Sequence, residues 1–320
     1  MDKRSFLFTS LAATSALSFP SAFAQSSAAI GSPPVAAPGF KRIQLGAVQI
    51  IALNDGVTRR PLAEGFVRNA PLNEVKASLA SQNLPTDYID IPYTAYLVVQ
   101  GNTRFLFDTG FADNSSPAAG QIRTNLAAAG FKPEDIDHVV ISHFHGDHIQ
   151  GLRCKDGALV YPNAKVHVPA PEYAFWMDDA RMNAAPETSR GAFQAVRRVF
   201  GGMPADRLLK FEPGAVLVPG ITSAPAFGHS PGMSIFTVES EGKKFTYVAD
   251  VTNVPAIFAR NPDWAVAFDM DPEAARQTRR RIYDMLVRDK TLVGGFHFPQ
   301  PWFGTLEAAG TGYQFKPISQ

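Results

Sequence analysis

Short hydrophobic runs, separated by glycine, proline, asparagine and aspartate, dominate the pattern of this chain and predict β-strands. Residues 46–53 (GAVQIIAL) form the first such run, and the Asn54-Asp55-Gly56 sequence after it predicts a tight turn. Two more strands, at 93–100 and 103–107, are predicted to form a hairpin around Gly101-Asn102. The first part of the chain is therefore expected to consist of antiparallel strands.

Farther along the chain, predicted strands alternate with predicted helices. Good helix formers that end at Gly130 predict a helix over residues 121–129, and a longer helix is predicted over residues 271–288. Short apolar strands are predicted in four places, at 137–142, 165–168, 244–248 and 292–296. Hairpins followed by strand–helix alternation indicate two sheets covered by helices, which is an α/β fold class.

The beginning of the chain has the pattern of a secretory signal peptide over residues 1–24. The basic pair Lys3-Arg4 precedes an apolar stretch, and Ala22-Phe23-Ala24 matches the small-x-small cleavage pattern. The basic pair also resembles a weakened twin-arginine signal. We expect export to the periplasm or the cell exterior, without a stable membrane anchor after processing. Residues 25–39 predict a flexible linker, and residues 40–320 a single domain.

Composition and charge favour a globular protein that acts on small molecules. Hydrophobic residues make up 45% of the chain and charged residues 18%, which is enough apolar material for a sizeable core. The formal net charge is +1 and no block of like charges stands out, which argues against a nucleic-acid partner. The single cysteine, Cys154, excludes an internal disulfide. We expect its thiol to be buried and inert, although its position after the motif below also suggests a metal ligand.

One short segment, His143-Phe144-His145-Gly146-Asp147-His148, contains four side chains that can bind a metal ion. Four ligands in one loop cannot all reach one ion without severe backbone strain, so the segment predicts two adjacent ions. Gly146 is expected to let the backbone turn closely between the ligands. The alternative is a chance cluster in a polar surface turn. His138 and His167 lie in strand-like runs and are interpreted as ordinary packed histidines.

This segment resembles the HxHxDH motif of the metallo-β-lactamase superfamily, and four further segments match that family in the expected order. Asp108-Thr109-Gly110 resembles its D-T-G element, and Gly228-His229-Ser230-Pro231-Gly232 resembles its G-H-[ST]-P-G loop. Asp250, in the YVAD sequence, resembles the aspartate that bridges two metals, and His297 completes the set. The resemblance implies an αββα sandwich of two mixed β-sheets flanked by helices.

Within that superfamily, the chain resembles the methyl parathion hydrolase group of exported organophosphate hydrolases and lactonases. The likeness is carried by residues 125–151, by residues 216–221 and by the ending at 310–315. Gly146 departs from the proline that close members often have. That group hydrolyses phosphotriesters, aryl esters and lactones, so the resemblance does not select among these substrates.

Carried over residue by residue, the resemblance implies two divalent metal ions, zinc by default, with manganese, cobalt or iron as alternatives. The implied ligands are His143, His145 and His229 for one ion, Asp147, His148 and His297 for the other, and Asp250 for both. A hydroxide that bridges the ions would attack a carbonyl carbon or a phosphorus atom. Asp250 and Asp147 are the expected catalytic residues.

Three further residues are candidates for supporting roles. Asp108 is expected to orient a ligand histidine or its loop, the alternative being simple capping of the turn at Gly110. Trp176 and Phe193 match positions that resemble the aromatic pocket of methyl parathion hydrolase, the alternative being core packing. Relatives of this type are often dimers, so a homodimer is one expectation.

Two other function classes remain open at this point. One is a mononuclear-iron enzyme that oxidises sulfur or persulfide compounds, and the other is a non-catalytic metal-binding protein. The Asp147-His148 pair and His297 favour two metals over one. A true β-lactamase is disfavoured because such enzymes replace the bridging aspartate, here Asp250, with cysteine or serine. Nuclease members carry a nucleic-acid-binding domain for which this chain has neither the extra length nor a basic stripe.

Overall fold

The structure, a computed structural model, describes residues 30–115 and 118–319. The predicted signal peptide, residues 1–24, lies outside the described residues, as does the first part of the predicted linker, residues 25–29. Residues 30–39 form no helix or strand. Within the described part of the chain, no helix is both long and apolar enough to cross a membrane. The predicted domain boundaries stay predictions.

The first sheet has seven strands that lie side by side in chain order. These strands are β1 (Phe40–Leu45), β2 (Val48–Pro61), β3 (Tyr88–Gln100), β4 (Thr103–Phe107), β5 (His138–Val140), β6 (Lys165–Pro169) and β7 (Leu208–Phe211). Strands β1 to β4 pair antiparallel, whereas β4 to β7 pair parallel. The hairpin predicted around Gly101-Asn102 is confirmed as β3 and β4.

The second sheet also has seven strands, and they too are neighbours in chain order. They are β8 (Val216–Val218), β9 (Ile221–Pro225), β10 (Ser234–Ser240), β11 (Lys243–Tyr247), β12 (Leu292–Gly294), β13 (Gly304–Ala309) and β14 (Gly312–Pro317). All neighbouring strands pair antiparallel except β11 and β12, which are parallel. Both sheets are therefore mixed.

Eight α-helices connect the strands within the described residues. They are α1 (Leu72–Ala80), α2 (Ile122–Ala128), α3 (Gly146–Ile149), α4 (Ala170–Trp176), α5 (Asp179–Ala184), α6 (Glu187–Phe200), α7 (Pro255–Phe258) and α8 (Pro272–Asp289). The two helices predicted from the sequence, α2 and α8, agree with the structure to within one residue at each end. Helix α8 begins after Asp271, whose side chain accepts the backbone N–H of Ala274 at 3.1 Å.

Two hydrophobic clusters hold these layers together. Successive residues of a strand point to opposite faces of a sheet, so one strand can contribute side chains to both clusters. On β4, Phe105 and Phe107 belong to the cluster between the sheets, whereas Leu106 belongs to the cluster beneath the helices. Rings meet across the gap between the sheets: the centroid of Phe107 lies 5.0 Å from that of Phe236. The predicted αββα arrangement, two mixed sheets flanked by helices, is confirmed.

The turn predicted at Asn54-Asp55-Gly56 is wrong, because β2 continues through this sequence to Pro61. The register against β3 shifts between Asn54 and Gly56, so Asp55 is the extra residue of a β-bulge. Its buried carboxylate accepts the backbone N–H groups of Phe111 and Ile122, both at 2.9 Å. Pairing along the length of β3 overrides a local sequence that would otherwise favour a turn.

Candidate metal centre

The segments that follow several strands of both sheets meet at one end of the sandwich. The first sheet contributes the segment after β5, and the second sheet contributes the β9–β10 loop and the segments after β11 and β12. Together they bring all seven predicted metal ligands to one place: His143, His145, Asp147, His148, His229, Asp250 and His297. The site therefore depends on both sheets.

The ligand side chains divide into two groups, which share one carboxylate. The first group consists of His143, His145 and His229. In this group, His145 Nδ1 lies 3.1 Å from His143 Nε2 and 2.9 Å from His229 Nε2. Three ring nitrogens that face one point have the arrangement that binds one divalent ion.

The second group consists of Asp147, His148 and His297. Asp147 Oδ2 lies 3.6 Å from His148 Nε2 and 3.5 Å from His297 Nε2. His148 and His297 are buried, whereas the side chain of Asp147 is about one-fifth exposed, at 21%. The mixed nitrogen and oxygen donors of this group suit zinc and the neighbouring first-row metals.

The carboxylate of Asp250 lies between the two groups. Its Oδ2 atom is 3.2 Å from His229 Nε2 and 3.1 Å from His297 Nε2, and its Oδ1 atom is 3.2 Å from His148 Nε2. His148 Nε2 and Asp250 Oδ1 are buried and have no hydrogen-bond partner. Buried polar atoms without partners are costly, so both atoms fit ligands that face an ion. The residues present therefore fit a pair of divalent ions.

The pKa values of the ligand histidines at this site shift in opposite directions. Burial lowers the pKa of His143 and of His145 well below the usual range, so both rings are neutral as metal binding requires. For His148, burial acts in the same direction, but the attraction of Asp250 and the other nearby carboxylates outweighs it and raises the pKa well above normal. The pKa of His229 is likewise raised to about 9, despite burial, by Asp250 and Asp269.

Proton release is therefore expected when the metal-free protein takes up zinc. Below about pH 9, His229 carries a proton that a metal ion must displace, so the affinity for zinc should rise as the pH rises towards 9. Calorimetry in buffers of different ionisation enthalpy should show proton release that falls by about one proton between pH 7.5 and pH 10. A release that stays constant over this interval would contradict the protonation of His229.

Four of the five ligand histidines also have a partner at the ring nitrogen that faces away from the site. These partners are the Ser142 hydroxyl for His143, the Asp108 carboxylate for His148, the Asp269 carboxylate for His229 and the Pro92 carbonyl for His297. Such contacts fix the tautomer and the orientation of a ligand ring. The four rings are thus aimed at the site before any ion arrives.

Asp108 makes four hydrogen bonds to residues in and around the metal centre. Its Oδ1 accepts the backbone N–H of Ser142 at 2.8 Å, and its Oδ2 contacts the Ser142 hydroxyl, Tyr247 Oη and His148 Nδ1 at 2.6, 2.5 and 2.7 Å. Asp108 adopts a left-handed backbone conformation with φ +58° and is fully buried. The structure thus places Asp108 where the sequence suggested, against a ligand histidine.

Two buried acids near the site were not predicted from the sequence. Asp269 accepts from His229 Nδ1 at 2.9 Å and lies 3.5 Å from the buried guanidinium of Arg279. Arg279 also donates to the carbonyl of Val251, next to Asp250, at 2.8 Å. The second unpredicted acid, Glu172, lies behind both ligand loops.

The role predicted for Gly146 is wrong, and a different glycine has that role. Gly146 has no left-handed φ, and a Cβ added there would meet only the end of the flexible Gln150 side chain, at 3.0 Å. Gly228, in contrast, has φ +122°, and a Cβ there would lie 2.1 Å from the backbone nitrogen of Ala275. The loop that carries His229 therefore requires glycine, whereas the first loop does not.

A cavity of about 640 Å³ opens over the two metal groups. Its wall is mainly apolar, and it includes both predicted pocket residues, Trp176 and Phe193, whose ring centroids lie 4.8 Å apart. The ring of Trp176 also lies 6.4 Å from that of His145. Cys154 is half-buried and belongs to neither metal group. His138 and His167 also lie outside these groups, with 2.9 Å between their ring nitrogens.

The model of the metallo-beta-lactamase superfamily matches residues 89–295, which is more than half of the chain. The chain belongs to the metallo-beta-lactamase superfamily. The class predicted from the HxHxDH motif and its companion segments is therefore confirmed.

Several individual proteins that resemble this chain are lactonases. An N-acyl homoserine lactonase of Bacillus cereus is 23% identical over 238 residues, which cover 68% of this chain and 86% of that protein. Among solved structures, the dizinc quorum-quenching lactonase AidC, in complex with the product N-hexanoyl-L-homoserine, superposes with a TM-score of 0.80. It is 27% identical, and the match covers 88% of this chain and 98% of AidC.

A second solved structure, the hydrolase AbOPH of the beta lactamase superfamily, superposes with a TM-score of 0.82. It is 26% identical, and the match covers 90% of this chain and 99% of AbOPH. Nearly the whole of AidC and of AbOPH therefore aligns with this chain. Together with the His and Asp groups described above, these likenesses indicate a metal-dependent hydrolase of the superfamily.

Proposed function

We propose that this protein is a dinuclear-metal hydrolase, with zinc as the resident ion, that opens lactones and cleaves related carboxylic esters. The observation that carries the proposal is the position of Asp250, whose two carboxylate oxygens contact histidines of both metal groups. A shared carboxylate at the base of an open cavity is the arrangement expected of a two-metal hydrolytic site. The lactonase relatives support the choice of substrate class.

The proposed chemistry assigns each group of residues a separate task. His143, His145 and His229 would hold one ion, Asp147, His148 and His297 would hold the other, and Asp250 would bind both. Ions held there would supply a water molecule of lowered pKa and would polarise the oxygen of the bond that is cleaved. The apolar wall around the cavity excludes bulk water and so strengthens the electrostatic interactions inside it.

The shape and polarity of the cavity fit a substrate with an apolar body and a small polar head. Phe175, Trp176 and Phe193 form one wall, and Met270 and Phe268 also line the cavity. These side chains fit an acyl chain. The polar residue Asn253, three positions after Asp250, also lines the cavity.

The same wall supports a second candidate activity on aryl esters and aryl phosphotriesters. The rings of Phe175 and Phe193 stack with centroids 5.7 Å apart, and Trp176 packs against both. An aromatic leaving group would find several rings at distances suited to ring–ring contact. Lactones and aryl esters are therefore compared directly in the experiment below.

The test measures metal content and hydrolysis on one purified sample. N-hexanoyl homoserine lactone, a p-nitrophenyl ester and methyl parathion serve as substrates, before and after treatment with a chelator. About two zinc ions per chain and chelator-sensitive lactone opening are expected. One iron ion without hydrolysis would favour the oxygenase alternative, and bound metal without any turnover would favour a metal-binding protein.

Truncating Phe193 is expected to weaken substrate binding and leave the metal ions in place. Phe193 is 5% exposed and lines the cavity, but it contacts no metal group. Phe193→Ala should raise KM for the hexanoyl lactone about tenfold, which equals about 1.4 kcal/mol. Zinc content should stay at the wild-type value. Phe131→Ala, at a half-buried phenylalanine outside the cavity, is the control. An unchanged KM for Phe193→Ala would show that Phe193 does not contact the substrate.

We also propose that the protein is exported, because residues 1–24 have the pattern of a signal peptide. Fractionation of cells that express the full chain, with N-terminal sequencing of the recovered protein, tests this proposal. Cleavage after Ala24 and recovery outside the cytoplasm are expected. An uncleaved chain that stays in the cytoplasm would contradict it.

A further inference from the structure

Glu172, on helix α4, is fully buried behind the metal centre and accepts four hydrogen bonds. Its Oε2 atom accepts the backbone N–H of Phe144 at 3.1 Å and the indole N–H of Trp176 at 2.8 Å. Its Oε1 atom accepts the hydroxyl of Ser230 at 2.5 Å and the backbone N–H of Gly232 at 2.6 Å. Burial raises the pKa of this carboxyl, and the four hydrogen bonds oppose that shift.

The four partners of Glu172 belong to three functional segments. Phe144 lies between the two ligands that the first loop gives to the first metal group. Ser230 directly follows the third ligand of that group, and Gly232 lies two residues farther along. Trp176 is part of the cavity wall. One carboxylate therefore joins both loops of the first metal group to the surface that a substrate would contact.

The chemistry of these contacts requires a carboxylate at this position. Three of the four partners, the backbone of Phe144 and of Gly232 and the indole of Trp176, are N–H groups that can only donate. In either orientation, the amide nitrogen of a glutamine would face at least one of these donors. Glu172→Gln therefore keeps the shape of the side chain but disrupts a loop or the tryptophan contact.

We propose that Glu172 is a positioning residue that fixes the first metal group and connects it to the cavity wall through Trp176. This inference rests on the proposed function, because it concerns how firmly the chain holds one of the two ions. Glu172 has no direct contact with that ion's ligand atoms, and it acts through the loops that carry them. Its removal should affect the first metal group more than the second, because Phe144 and Ser230 are next to ligands of the first group in sequence. The segments that carry Asp250 and His297 make no hydrogen bond to Glu172.

The experiment titrates zinc into the full metal-free chain in competition with a chelating dye, which yields both stepwise affinities. Glu172→Gln should weaken one zinc ion about 10–100-fold and leave the other within about threefold of wild type. Glu307→Gln, the same change at an exposed strand position, should match wild type at both. His229→Ala disables the first group independently, so adding Glu172→Gln to it should cause no further loss of the remaining zinc.

The remaining outcomes contradict either the inference about Glu172 or the proposed function. Equal weakening of both ions by Glu172→Gln, or an added loss in the His229→Ala background, would mean a general structural role and overturn the inference. A wild-type chain that binds fewer than two zinc ions would overturn the proposed function itself. If Glu172→Gln does not fold, Ser230→Ala removes only one of the four hydrogen bonds, and it should weaken the same ion by a smaller factor. Unchanged affinities in Ser230→Ala would then overturn the inference.

Discussion

Replacing Asp250 by asparagine is expected to lower hydrolytic activity by about three orders of magnitude or more, an effect typical of losing the main electrostatic element of an active site. Asp250 is 4% exposed, and its two oxygens lie between His148 on one side and His229 and His297 on the other. The asparagine keeps the shape but loses the negative charge, and its amide nitrogen cannot bind a cation. Both metal groups therefore lose a shared ligand in one change.

The measurement for Asp250→Asn is zinc content, alongside turnover of the lactone. Both zinc ions should bind more weakly in this variant, which separates it from variants that affect a single group. Asp206→Asn, the same substitution at an exposed position, is the matched control and should retain two ions and full turnover. Two tightly bound ions and wild-type turnover in Asp250→Asn would show that this carboxylate does not join the two groups.

The second large effect is expected for Asp108→Asn, through the tautomer of His148. In the native chain the Oδ2 atom of Asp108 holds a proton on His148 Nδ1, so Nε2, which faces Asp250, is the nitrogen that can give up its proton to bind a metal ion. An asparagine that keeps its oxygen on the Ser142 backbone N–H would direct its amide nitrogen at His148 Nδ1. The ring would then carry its proton on Nε2, where it cannot bind a metal ion.

Asp108→Asn should therefore weaken one zinc ion about 10–100-fold and lower kcat, while the ion of the first group is held nearly as well as in wild type. Stepwise zinc titration and turnover of the lactone measure both effects, with Asp206→Asn again as control. Asp108→Ala would test the same contact, but it also leaves Tyr247 and Ser142 without a buried acceptor and should unfold more easily. Wild-type affinity for both ions in Asp108→Asn would exclude control of the His148 tautomer.

Much of the metal centre could be predicted because its densest part is local in sequence. The six residues from His143 to His148 contain four ligands, and the physical chemistry of ligand types is enough to indicate metal binding there. The other ligands, His229, Asp250 and His297, lie far away in sequence and were assigned by family resemblance. Helices α2 and α8 were also predictable, since Gly130 follows the end of α2 and Asp271 caps the start of α8.

The residues that could not be predicted have roles that exist only in the folded chain. Glu172 occupies the first turn of a short helix, where an acidic side chain is ordinary, and nothing local shows that two loops will donate to it. Asp269 and its partner Arg279 are likewise brought to His229 by packing alone. The Asn54-Gly56 segment shows the converse, because a genuine turn sequence became a bulge under the pairing of β2 with β3.

The order of the strands also bears on how the protein folds. The chain completes its first sheet, from Phe40 to Phe211, before the second begins at Val216. Each sheet can therefore form from residues that are contiguous along the chain, and the first can form while the second is still being synthesised. Each metal group, however, includes a ligand from the second sheet, His229 or His297. Neither metal group is therefore complete until the two halves have docked, so full metal binding is expected only at the end of folding.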